Sequence, residues 1–136
     1  MDAPEIEPSS DLGQVSSQIS REIVQLHARL YGRGPTRAKT YLTGDYALSI
    51  LEEIFTPAER TLIAAGKGEL VQASRTAFQD AVRDEFVTIV EETTGRPVRA
   101  LISQVHLETG SAIELFLFAP TSGADNSGSE DGDGCG

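Results

Sequence analysis

Few side chains in this chain of 136 residues could do chemistry, and they are spread apart. The densest group is basic. No acid lies between Glu22 and Asp45, while Arg29, Arg33, Arg37 and Lys39 surround the turn Tyr31-Gly32-Arg33-Gly34-Pro35. Guanidinium groups grip carboxylate or phosphate with paired donors, and a glycine such as Gly34 lets a ligand approach the backbone closely. The segment therefore reads as an anion or acidic-partner site made of Arg29, Arg33, Gly34, Arg37 and Lys39. A solvated basic turn is the competing reading, because the segment follows a helix C-terminus, where the dipole attracts cations. It also lacks the GxxxxGK[ST] pattern of a phosphate-binding loop.

The remaining candidates are weaker. His27 and His106 are the only histidines, and neither stands in a nucleophile pattern. His106 sits in a β-prone run, where a lone histidine is commonly a hydrogen-bonded surface residue. The acid pairs Glu52-Glu53, Asp84-Glu85 and Glu91-Glu92 are sequence neighbours, which on a helix point apart, so they read as solvated faces. GxSxG, HExxH and GxGxxG are absent. One cysteine, Cys135, permits neither an internal disulfide nor a cysteine metal cluster. No catalytic residue, metal or cofactor is expected.

The elements that would position these residues follow from periodicity. Val15, Ile19, Ile23, Leu26 and Leu30 form one helical stripe, which predicts a helix over about 16–31 that stops at Gly32. Thr36–Thr43 and Tyr46–Ile54 are β-prone runs joined by Gly44-Asp45, a hairpin. Thr56-Pro57-Ala58-Glu59 is a capping box with proline at the first helical position. It opens a short helix, and Gly66-Lys67-Gly68 then precedes a long one over about 69–94, with a stripe of Val71, Phe78, Val82, Phe86 and Ile89. Val98–Leu107 and Ala112–Phe118 make a second hairpin, whose last strand is apolar on both faces and should be central or at an interface.

The fold class is α+β. Gly34-Pro35-Thr36-Arg37-Ala38 and Arg96-Pro97-Val98-Arg99-Ala100 lie at equivalent points of two αββ units. These would form a four-stranded antiparallel sheet with the helices on one face, the shared motif reading as internal duplication or as chance identity.

The formal charge is −10, from 11 bases and 21 acids. Eight of those acids stand in 1–13 and 121–136, which hold no base. Both ends read as disordered acidic tails around one domain over 14–120, whose own charge is nearly balanced. Broad nucleic-acid binding is not expected from so few cations, but a small anionic contact on the body is compatible with them. No run is apolar enough to span a membrane, and a cytoplasmic location is the default.

Taken together, Gly32-Arg33-Gly34-Pro35, the run Phe55-Thr56-Pro57-Ala58-Glu59-Arg60-Thr61-Leu62, Arg75 and Thr94-Gly95 resemble the MpsC-like family over about 16–119. That family, formerly a domain of unknown function, is named after the third subunit of a sodium-translocating, membrane-potential-generating system. The resemblance implies a small soluble accessory protein beside a membrane cation or bicarbonate transport system, and it supplies no catalytic residues. The expectation is a non-enzymatic interaction module, a homodimer, that meets a protein partner such as a transporter subunit. The contact would be made through Arg29, Arg33, Arg37 and Lys39 or through the protruding end of the long helix. The alternative is a small-anion or nucleotide sensor using Arg33, Gly34 and Arg37.

Overall fold

The computed structural model describes residues 7–121, with side chains from Leu12 onward. Most of both tails, and Cys135, lie outside the described residues. The first helix, α1 (Glu7–Tyr31), begins well before the expected start near Ser16, so 7–13 is helical instead of part of a tail. Leu12, three positions before Val15, continues the spacing of the stripe that buries Ile19, Ile23 and Leu26, although it is itself 49% exposed. The helix ends where expected, at Gly32, whose φ of 83° suits a residue without a Cβ. Gly34 is needed for a different reason: a Cβ there would lie 2.9 Å from the Val24 carbonyl oxygen, so only glycine lets the loop return against α1.

The first hairpin is β1 (Arg37–Leu42) and β2 (Tyr46–Glu52), and the second is β3 (Val98–His106) and β4 (Ser111–Phe118). All pairings are antiparallel, in the order β1-β2-β4-β3, so the hairpins meet at β2 and β4 and the doubly apolar last strand is indeed central. One face of the sheet carries Ala47, Leu51, Leu101, Val105, Ala112, Phe116 and Phe118, all buried under the helices. The helices α1 and α4 (Arg83–Thr94) pack together and supply Ile19, Ile23, Leu26, Phe86 and Val90 to this core.

The single long helix expected over 69–94 is instead two, α3 (Gly68–Ala81) and α4, broken at Val82. Val82 adopts φ −112° and ψ 17°, outside the helical region, with its side chain 9% exposed in the core. The break separates a helix that follows α2 (Pro57–Ala64) from one that lies with α1 over the sheet. The expected stripe is corrected accordingly: Arg75, not Phe78, faces inward between Val71 and Val82, and Phe78 is 40% exposed.

The opposite face of the sheet has no covering layer among the described residues. Alternation along each strand places Tyr41, Leu48, Leu115 and Ile102 there as one row across all four strands. Lys39, Ile50, Ile113 and Gln104 form the next row, and Tyr46, Leu117 and Ala100 flank the first on its other side.

Candidate functional site

The junction between β2 and α2 concentrates the polar chemistry of the molecule. Thr56 caps α2: its hydroxyl accepts from the Glu59 N–H at 3.1 Å, and Glu59 Oε1 accepts from the Thr56 N–H at 2.9 Å. The same carboxylate binds Arg75 of α3 in two places, Nε to Oε2 at 2.8 Å and Nη2 to Oε1 at 2.6 Å. Arg75 Nη2 also donates to the Ile54 carbonyl at 2.8 Å. Beside it, Arg33 Nη1 donates to the Phe55 carbonyl, as does Arg60 Nη2 at 3.1 Å. Three arginines from α2, α3 and the loop after α1 therefore satisfy two successive backbone carbonyls at a point where neither sheet nor helix can do so. Glu53, just before them, has φ 54°, a left-handed conformation that is costly for a residue with a Cβ.

Arg75 is completely buried, an arrangement tolerated only when the charge is paired and hydrogen-bonded. Its guanidinium carbon lies 3.6 Å from the centre of the Tyr31 ring and 5.5 Å from that of Phe55, so aromatic faces supply further stabilisation. Burial pulls the Glu59 carboxyl upward, but hydrogen bonds from Arg75 and Thr56 outweigh it and hold the group below its ordinary range. Burial pushes the Tyr31 hydroxyl upward. His27, packed against Tyr31 and Phe86, has no hydrogen-bond partner on either ring nitrogen among the described residues. Burial, reinforced by the Arg75 charge, lowers its pKa to about 4, so the imidazole is neutral at pH 7.

A second polar group crosses the sheet beneath the helices. Thr40, Ser49, Glu114 and Ser103 are register neighbours on β1, β2, β4 and β3. Thr40 and Ser49 hydroxyls are 2.8 Å apart, and Ser20 of α1 joins Thr40 at 2.8 Å. Ser103 donates to Glu114 Oε1, and Oε2 has no partner among the described residues. Burial raises Glu114 to about 7, against the Ser103 hydrogen bond and the field of Arg83.

These groups are enclosed by the fold. Arg75 and Glu114 have no solvent-exposed surface, and the Glu59 carboxylate is clamped between a helix cap and a guanidinium. A cleft of about 450 Å³ opens beside the junction, lined in part by Glu53, Phe55, Arg60 and Glu108. Its charges are mixed, and the buried Arg75 and Glu114 are not among the residues that line it.

The residues that make this junction are those whose order carries the family resemblance. A family model described as "Na+-translocating membrane potential-generating system (MpsC)" matches residues 11–120, most of the chain. The chain belongs to the MpsC family. Two Bacillus subtilis proteins are similar to it. The uncharacterized protein YbcI is 27% identical over 76% of this chain and 85% of its own length, and the uncharacterized protein YrhF is 30% identical over 71% and 80%. No solved structure matches.

In this MpsC-family chain the five residues read as one basic site are not gathered together. Arg29, largely exposed, lies 3.6 Å from Glu85, and Arg33 is committed to the Phe55 carbonyl. Gly34 touches α1. Only Arg37 and Lys39 share a surface, the outer face of β1, where Lys39 Nζ stands 5.7 Å from the Tyr41 ring centre. The Arg75–Glu59 clamp was not legible as a pair, because Glu59 already had a local role in the capping box. The signal was an arginine four residues after Val71, on the inward stripe of its helix. Glu114 left a similar trace, an acid sharing strand parity with Ala112, Phe116 and Phe118. His106 follows the ordinary reading: it is exposed and pairs through Nδ1 with Thr109 at 3.0 Å.

Proposed function

We propose that this MpsC-family chain is a non-enzymatic accessory module of a membrane-potential-generating system, working by contact with a protein subunit of that system. Family membership supports the system, and the surface of α2 and α3 supports contact. An isolated helix is marginal in water and normally holds its place by burying an apolar face. Here α2 buries no residue, and α3 buries only Val71 and Arg75. Leu62 and Leu70 meanwhile stand 37% and 58% exposed, while Phe78, 40% exposed, packs its ring against Tyr31 at 5.2 Å. That unburied surface is the observation that carries the reading: the helices are pinned from beneath by the Arg75–Glu59 clamp, and their outer side is left for a partner.

No helix among the described residues is long and apolar enough to cross a membrane. The test is the Na+-dependent potential of membrane vesicles supplied with wild-type protein or with the Leu62→Glu, Leu70→Glu variant. The variant is expected to melt as the wild type does and to fail in supporting the potential.

A further inference from the structure

The helices cover one face of the sheet and leave the other open, with an apolar row running its full width. Tyr41 and Ile102, at the two edges of that row, are 48% and 49% exposed, and Leu48 and Leu115 between them are half-buried. We propose that the occupant of this face is a second copy of the same chain, packed sheet against sheet about a twofold axis parallel to the strands.

Area, polarity along the strands and charge placement each favour that occupant. Four strands about 4.8 Å apart, with about seven residues each at ~3.4 Å, give a footprint on the order of 450 Å² per copy. Two such faces bury about 900 Å² of footprint, and more of pleated accessible surface, near the ~1,000 Å² at which specific interfaces begin. The face is also graded along the strand direction. At one end lie Tyr46, Leu117 and Ala100, whereas the other end carries the polar row Arg37, Glu52, Ser111 and His106, in which Ser111 donates to Glu52 at 2.8 Å.

A twofold axis across the strands would press the first end onto the second, apolar groups against charges. An axis along the strands lays each row on its own counterpart, which is the self-complementarity an isologous dimer requires. Charge selects the same axis. Among the described residues, the exposed cations toward the polar end of this face, Arg37 and Lys39, stand on β1, where β3 presents Gln104 and His106; the exposed Arg99 stands at the β3 bulge near the other end. Rotation about the strand direction brings β1 of one copy over β3 of the other, whereas the crosswise axis would lay β1 on β1 and gather the β1 cations of both copies along one edge. Sheets packed in this aligned way lie about 10 Å apart, with their side chains forming a shared core.

This dimer is independent of the partner assigned to α2 and α3, and its test keeps the two apart. Sedimentation equilibrium of the full chain should show a dimer at micromolar concentration. Ile102→Glu, at an exposed position, and Leu115→Glu should each weaken association at least 100-fold while circular dichroism shows a folded monomer. Leu70→Glu, on α3, should leave the dimer unchanged. Geometry is read by mixing two differently tagged chains with Cys135→Ser, one carrying Tyr41→Cys and the other Ile102→Cys, and adding a bismaleimide of about 10 Å reach. Heterodimeric cross-links between the two tags are expected. A wild-type chain that stays monomeric at 100 µM, a dimer that survives Ile102→Glu, or preferential linking of Tyr41→Cys to itself would each overturn the proposal. So would a monomer that binds anionic vesicles through this face.

Discussion

Arg75 shows how one side chain ties a helix to a fold. It joins α3 to the cap of α2 through Glu59, to the end of β2 through the Ile54 carbonyl, and to α1 through the Tyr31 ring. Replacing it with methionine keeps the volume but leaves Glu59 without its cation, so chemical denaturation should show a loss of about 3–5 kcal/mol. Removing both charges, with Glu59→Gln added, should recover part of that loss.

His27 and Glu114 make a second residue-scale prediction because their linkages have opposite signs. The unfolded chain protonates His27 below its ordinary 6.5, whereas the fold refuses the proton down to about 4, so this group makes stability fall as pH drops through that window. Glu114 keeps its proton in the fold up to about 7 and loses it near 4.5 when unfolded, so its contribution is present at low pH and lost as pH rises. Between 4.5 and 6.5 each slope approaches ~1.4 kcal/mol per pH unit, and the two cancel. Urea midpoints of the wild type should be flat there. Glu114→Gln should make stability rise with pH, and His27→Leu should make it fall.

At the scale of elements, what the sequence made legible depended on whether the controlling interaction was local. The capping box at Thr56, the Gly32 stop and both hairpins rest on neighbours within a few residues, and they stand where the sequence reading puts them. The break at Val82 has no proline or glycine to announce it. It arises because α3 must keep Arg75 on Glu59 while α4 keeps Phe86 and Val90 in the core, a demand set by distant contacts. The start of α1 was obscured by the acidic, base-free composition of 1–13, and the basic residues around Arg33 looked like one site because sequence proximity says nothing about strand parity or about a carbonyl 22 positions away. The same division predicts dynamics. With Val71 and Arg75 as its buried residues and Phe78 touching only the Tyr31 ring edge-on, α3 should exchange its amide hydrogens faster than α4, and Arg75→Met should accelerate α3 selectively. Equal protection of the two helices in hydrogen exchange would contradict this.

At the scale of the molecule, His27, Arg75 and Glu114 are buried, while among the described residues apolar side chains stand exposed on α2 and α3 and on the open sheet face. That distribution suits a protein whose work is done by contact. The net charge of −10 sits mainly at the chain ends, leaving a body able to offer Arg37 and Lys39 beside an apolar sheet. The most direct test of an accessory role is the Na+-driven potential of inverted vesicles from cells lacking this chain, measured before and after purified protein is added. Wild-type protein should restore the potential, and Leu62→Glu, Leu70→Glu protein of unchanged melting temperature should not. Full restoration by that variant, or a potential indifferent to either protein, would contradict the account.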